Sequence, residues 1–369
     1  MTETIIEYIK KYGEYTFAEK PLNDVDSLAL CQLSYLKFDG MVPGIMDHKG
    51  PVLLKNLPQH QSFQALFADE RYEKQNRALF DAMLHSRRFK NLRINNYISI
   101  LENGWETQFS AVTFLPAGEQ VFVAFRGTDE SIVGWKEDFN MAFQNPIPGQ
   151  AYAVKYLNLI SERIPGGFYI GGHSKGGNLA VYAALHAKKE IRDRIRKVYS
   201  MDGPGFRKEV LANAYVEELQ DRIVKILPES SVIGMLFETS PKYKVVASKT
   251  IGILQHDPYT WLIQEDDFFY VEDVDDSHKF ADHAFTEWVE SLKPEERKLF
   301  VDTLYQVVSA SEAENLIDLS ADWKRSFNGM VSAIKELDEE TKKMLKTVTK
   351  ELFDIFRVHL KNKFQDKRE

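Results

Sequence analysis

The chain has 369 residues, 44% hydrophobic and 28% charged, so it holds ample apolar material for a core and is neither disordered nor collagen-like. Lys plus Arg number 47 against 55 Asp plus Glu, and the net charge of −8 gives no overall attraction to nucleic acid. The single cysteine, Cys31, excludes an internal disulfide framework and a cysteine-rich metal site.

The first residues, MTETIIEYIKKYGEYTF, carry no apolar signal-peptide core. No stretch approaches the roughly 20 apolar residues of a membrane span. The expectation is a soluble, cytoplasmic protein. Residues 5–38 show apolar positions at helical spacing, with Leu28, Leu30, Leu33 and Leu36 prominent. Residues 39–75 are broken by Gly40, Pro43, Gly44, Gly50, Pro51 and Pro58. This segment is a candidate lid or pocket wall, because Met41, Val42, Ile45, Met46, Leu53 and Leu54 would suit an acyl chain. A well-packed surface loop is the equal alternative. Residues 71–85 read as helix.

Period-two alternation then predicts strands at 97–101, 107–115 and 120–125, with turns at Asn103-Gly104 and Ala117-Gly118. Helical spacing returns over 150–163. A strand at 167–171, a helix at 175–188 and strands at 197–201, 222–227 and 244–247 follow. Hairpins followed by alternating strands and helices predict an α/β fold. The sheet is expected to be mostly parallel, with antiparallel first strands and flanking helices. The acidic stretch 265–276 reads as a solvated connector, and 293–369 as almost entirely helical. The expected division is a core at 1–277 that includes N-terminal helices, and a helical C-terminal extension at 278–369.

The most informative segment is FYIGGHSKGGNLAVYAALHA. It contains Gly172-His173-Ser174-Lys175-Gly176, a G-x-S-x-G pattern between an apolar strand and an apolar helix. A strand-to-helix turn this tight strains the serine backbone, and only small residues two positions before and after it avoid a clash. Ser174 is then a candidate nucleophile exposed at the carboxyl end of the sheet. The amide of Lys175, at the helix N-terminus, is a candidate oxyanion donor. A second donor is expected in the loop after an earlier strand. Here VFVAF runs into Arg126-Gly127-Thr128-Asp129, so Thr128 is that candidate; simple helix capping by Thr128 or Asp129 is the alternative.

FRGTDESIVGWKEDFNMAF followed by GGHSKGGNLA resembles the lipase class 3-like group of α/β-hydrolases, in particular a bacterial branch of largely unknown function. The DGPGF and QHD segments follow in the same order, and the likeness runs over about residues 20–310. The resemblance implies an α/β-hydrolase fold, a serine esterase or lipase type of activity and no cofactor, without fixing a substrate.

In such a fold the acid and then the histidine follow the serine. Of nine histidines, His48, His60 and His85 precede Ser174; His173 adjoins it, with its side chain expected to point elsewhere; His186 lies in the following helix. His256, in Ile253-Leu254-Gln255-His256-Asp257-Pro258, follows the last predicted core strand and matches the family QHD segment. His278 and His283 are the alternatives, and His359 is the remaining histidine after the serine. Asp202 directly follows the 197–201 strand and is the first candidate acid, a placement that resembles pancreatic-type lipases. Glu229 is the alternative acid, near the point where fungal class 3 lipases carry an aspartate.

The expected substrate is a small-molecule or lipid acyl ester. An acyltransferase, or a non-catalytic binding or regulatory protein on the same fold, is the alternative. At the C-terminus, Val348, Leu352, Phe353, Ile355, Phe356, Leu360 and Phe364 alternate with lysines and arginines. Such a basic amphipathic helix packs on its own domain, pairs with a second copy, or makes peripheral contact with an anionic membrane.

Overall fold

The structure is a computed structural model. It describes residues 3–68, 72–102, 107–116, 120–128, 137, 140–141, 144–212, 214–231, 233–238, 242–272, 287–289, 291–309, 337–344, 346–347 and 350. The chain divides into two compact units, 1–102 with 108–127 and 148–275, and 103–107 with 128–147 and 276–369.

The first unit carries the sheet. Its strands are β1 (Val52–Leu53), β2 (Arg93–Glu102), β3 (Thr107–Leu115), β4 (Val121–Phe125), β5 (Phe168–His173), β6 (Ile195–Met201), β7 (Ile223–Pro228), β8 (Lys244–Val246), β9 (Ile263–Gln264), β10 (Asp267–Phe268) and β11 (Tyr270–Val271). Among the described residues, β1 to β8 lie side by side in chain order with β11 at the far edge, while β9 and β10 form a separate ribbon. Strands β4 to β8 are parallel. The pairs β1–β2, β3–β4 and β8–β11 are antiparallel. The mixed sheet with flanking helices is the expected α/β class.

Two apolar layers explain the strand sequences. In β4, Phe122 and Ala124 face a core shared with helices α1 (Ile5–Tyr12), α2 (Asp24–Leu33) and α3 (Glu73–His85). Val121, Val123 and Phe125 face the opposite core, shared with α4 (Pro148–Arg163) and α5 (Lys175–His186). A strand covered on both faces has no polar positions to alternate with, so VFVAF is unbroken.

The helical pattern of 5–38 resolves into the two helices α1 and α2. A Cβ at Gly13 would lie 2.3 Å from the Ile9 carbonyl oxygen and 2.6 Å from Ser86 Cβ, so α1 ends against a close neighbour. Asn23 then starts α2, accepting from the Asp26 amide at 2.8 Å. Within 39–75, Met41, Val42 and Leu54 are buried in the first core, whereas Met46 is exposed. The acidic stretch read as a connector contributes structure: the β9–β10 ribbon turns at Glu265, whose φ is 57°, and β11 completes the sheet edge.

In the second unit, helix α6 spans Pro294–Ser309, and Trp288 meets Phe300 edge-on at 5.1 Å between ring centroids. Glu137 and Asn140 are buried. The turns at Asn103-Gly104 and Ala117-Gly118, the histidines His278 and His283, and most of the basic C-terminal segment lie outside the described residues.

Candidate active site

Strand β5 ends at His173, and α5 begins at Lys175. Ser174 makes the turn between them with φ 57° and ψ −133°, a region non-glycine residues rarely occupy. The surroundings hold it there. The Ser174 amide donates to the Met201 carbonyl at 2.9 Å, and the Gly177 amide donates to the Ser174 carbonyl at 2.9 Å. The two flanking glycines are required by space. A Cβ at Gly172 would lie 2.2 Å from the Gly176 carbonyl carbon, and one at Gly176 would lie 2.2 Å from the Phe125 carbonyl oxygen. Both obstacles are backbone. Strain of this kind costs on the order of 1–3 kcal/mol and persists where the fold over-determines it.

The turn after β4 runs beside this elbow. A Cβ at Gly127 would meet the Tyr35 hydroxyl at 2.3 Å, the His173 carbonyl oxygen at 2.5 Å and Ser174 Cβ at 3.2 Å. Thr128, the next residue, is half-buried and opens the second unit. Lys175 is buried, and its ammonium donates to the Gln108 carbonyl at 3.1 Å and to Gln108 Oε1 at 3.3 Å. This side-chain anchor ties the first residue of α5 to β3, and the Lys175 amide stands at the positive end of the helix dipole.

Asp202 and His256 meet. Asp202 leaves β6 with φ 50°, and its amide donates to the Ile226 carbonyl at 2.8 Å. Its carboxylate is fully buried and lies 2.6 Å from His256 Nδ1 through Oδ2. The other oxygen, Oδ1, accepts from Ser231 Oγ at 2.5 Å, and Ser231 Oγ in turn accepts from the Gly234 amide at 3.1 Å. A Cβ at Gly234 would lie 2.2 Å from Asp202 Oδ1, so a side chain there would displace the carboxylate. A carboxylate buried with both oxygens engaged is held in one orientation.

Glu229 follows β7 half-buried, and its carboxylate makes no hydrogen bond to His256. Ser174 Oγ and His256 Nε2 make no hydrogen bond among the described residues. Of the expected site residues, the structure therefore joins Asp202 to His256 directly, and places Ser174 one residue beyond a histidine that touches the His256 segment.

That segment is well anchored. Gln255 Oε1 accepts from the Ser230 amide at 2.6 Å, and Gln255 Nε2 donates to the Thr250 carbonyl at 2.8 Å. Trp261 Nε1 donates to the Gln255 carbonyl at 2.8 Å. Asp257 accepts from the Tyr259 amide at 3.0 Å, and the Tyr259 hydroxyl donates to Asn76 Oδ1 of α3 at 2.7 Å. In the same turn, Ile251 and Leu254 are 82% and 65% exposed.

Sequence reasoning missed Ser231, Gly234, Gln255 and Tyr35. Only Gln255 carried a signal, as the neighbour of His256 in the QHD segment. The rest act through contacts between distant parts of the chain.

A family model described as Mbeg1-like matches residues 83–306. Among solved structures, the chain is similar to the crystal structure of M37 lipase at 15% sequence identity and a TM-score of 0.34, over 57% of this chain and 67% of that one. No curated protein matches the chain.

Proposed function

This chain belongs to the Mbeg1-like family, and we propose that it is a serine hydrolase that cleaves a carboxylic ester through an acyl-enzyme on Ser174. A hydrolase-type enzyme on an α/β-hydrolase-like fold follows from the family and the architecture. One observation above all supports serine chemistry: the buried Asp202 carboxylate lies 2.6 Å from His256 Nδ1.

An ionised carboxylate only accepts, so the Nδ1 that faces it carries the ring proton. His256 Nε2 is then the lone-pair nitrogen, able to take the proton of Ser174 Oγ. In the proposed reaction Oγ attacks the ester carbonyl as His256 Nε2 removes its proton. The carbonyl oxygen becomes an oxyanion, received by the Lys175 amide and by Thr128, the residue after the Gly127 turn. Collapse of the intermediate breaks the bond to the alcohol, which leaves with the proton from His256. Water repeats the sequence on the acyl-enzyme: His256 takes its proton, hydroxide equivalent adds, and Ser174 departs reprotonated. Asp202 stabilises the imidazolium in both halves.

The strained φ of Ser174 and the forced glycines at 172 and 176 support its assignment as nucleophile. The resemblance to class 3 lipase-like proteins supports an ester substrate. Ile251 and Leu254, exposed in the turn that carries His256, support an apolar acyl or alcohol group. A p-nitrophenyl ester series from acetate to octanoate tests the reading. Turnover is expected for wild type and absent in Ser174→Ala; equal rates in both would remove Ser174 from the chemistry.

A further inference from the structure

His173 stands between Tyr35 and the backbone of His256. Its ring is buried, with Nε2 at 2.9 Å from the His256 carbonyl oxygen and Nδ1 at 3.2 Å from the Tyr35 hydroxyl. The two imidazole rings are neighbours, with centroids 4.6 Å apart. A carbonyl oxygen only accepts, so Nε2 of His173 carries a proton and donates it. In the neutral ring Nδ1 is then an acceptor, and the Tyr35 O–H donates to it. Tyr35 is itself seated against the elbow, where its hydroxyl fills the space a Gly127 side chain would need.

We propose that His173 is a positioning residue that sets the distance between Ser174 and His256. It is bonded through the peptide chain to Ser174 and through one hydrogen bond to the backbone of His256. The path from nucleophile to base therefore crosses two adjacent residues and one contact, instead of the sheet and the loops around it. Gln255 and Trp261 fix the His256 segment to its own side of the fold; His173 fixes it to the elbow. The His256 carbonyl selects the tautomer, and the Tyr35 hydroxyl, 3.2 Å from Nδ1 and 3.4 Å from the His173 carbonyl oxygen, complements it. This role rests on the hydrolase reading of the same site.

The chemistry makes the role separable from simple packing. Glutamine presents an N–H donor at nearly the reach of a histidine Nε2, so His173→Gln preserves the contact to the His256 carbonyl. His173→Leu fills similar space without a donor. A displacement of about 1 Å between reacting groups costs on the order of 100-fold in rate.

The test measures the second-order rate of Ser174 phosphonylation by a fluorophosphonate, per folded molecule, in wild type, His173→Leu, His173→Gln and Tyr35→Phe. The expected result is a fall of about 10- to 100-fold in His173→Leu, recovery to within about threefold of wild type in His173→Gln, and a smaller fall in Tyr35→Phe. Nitrogen-15 imidazole spectra should show His173 protonated at Nε2, its signal identified by its loss in His173→Gln. Wild-type labelling at Ser174 with an unchanged rate in His173→Leu would overturn the positioning role and leave the hydrolase reading intact. So would a His173 protonated at Nδ1 alone, or equal losses in the Leu and Gln variants. Absence of Ser174 labelling in folded wild type would overturn the hydrolase reading and this role with it.

Discussion

Replacing Asp202 by Asn removes the charge of the proposed acid and leaves the backbone almost untouched. Asp202 occupies the left-handed region at φ 50°, where Asn is among the best tolerated side chains, so the variant is expected to fold. The aspartate spends one oxygen on each of two donors, His256 Nδ1 at 2.6 Å and Ser231 Oγ at 2.5 Å. Asparagine has one oxygen. With that oxygen toward His256, the new NH2 faces Ser231 Oγ, whose hydroxyl proton must turn away while it still accepts from Gly234. With the NH2 toward His256, it donates to Nδ1, the ring proton moves to Nε2, and the base has no lone pair for Ser174. The first arrangement loses the charge that stabilises the imidazolium; the second loses the base.

Loss of the orienting carboxylate in a serine triad lowers turnover on the order of 10⁴-fold, or about 5 kcal/mol at 1.36 kcal/mol per tenfold. Asp202 is fully buried, so water offers no substitute acceptor, and a fall in kcat of about 10³- to 10⁴-fold is expected. Because the carboxylate does not face substrate in the proposed reaction, KM should move by less than about threefold. Steady-state hydrolysis of p-nitrophenyl butyrate measures both, with a thermal melt to verify folding. Glu229→Gln, in parallel, should stay within about threefold of wild type. Retention of more than about a tenth of kcat by Asp202→Asn, or a larger loss in Glu229→Gln, would refute the assignment of the acid.

Gly176→Ala should destabilise the protein by about 3 kcal/mol or more in urea unfolding, because the new Cβ would lie 2.2 Å from the Phe125 carbonyl oxygen and neither backbone can yield. Gly50→Ala is its control: nothing lies within 4 Å of that Cβ, and stability should change by less than about 1 kcal/mol. Burial pushes the Asp24 carboxyl up, but hydrogen bonds and charge from Lys244 and Lys197 hold it below its ordinary value. A lowered folded-state value stabilises the protein above the unfolded-state pKa of about 3.9 and is lost as pH falls through the folded value. Asp24→Asn should therefore lose about 1 kcal/mol at pH 7, discounted for the half-exposed lysines, and flatten the acid limb of stability below about pH 4. Burial raises the Cys31 thiol, whose sulfur would lie 3.1 Å from a Cβ at Gly171. It should react with Ellman's reagent only on unfolding, and prompt reaction in the native protein would contradict its burial.

The parts of this fold that repeat a local pattern were legible in the sequence. The strand at VFVAF was legible, although its two buried faces leave it without the period-two alternation expected there, and the α5 boundary follows from Gly172 and Gly176 around Ser174. The short β9, β10 and β11 were not legible. Two residues carry no period, and these pairs are defined by register against distant partners. The split of the first helical segment depended on Gly13 meeting Ser86, more than 70 positions away. In the candidate site, Asp202 and His256 were legible because each follows a predicted strand. Ser231 was not, since a serine in a loop signals nothing until a carboxylate lies beside it. His173 was expected to point away from the site. Its backbone position beside Ser174 fixed neither its ring nor its partner, and the structure turns the ring to the His256 carbonyl.

Activation of the serine at position 174 is measured by treating folded wild-type protein and Ser174→Ala with a fluorophosphonate and locating the adduct by peptide mass spectrometry. One phosphonyl group is expected on the peptide containing Ser174 in wild type and none in the variant. Folded wild type that carries no adduct, or an adduct of equal yield in Ser174→Ala, would contradict it.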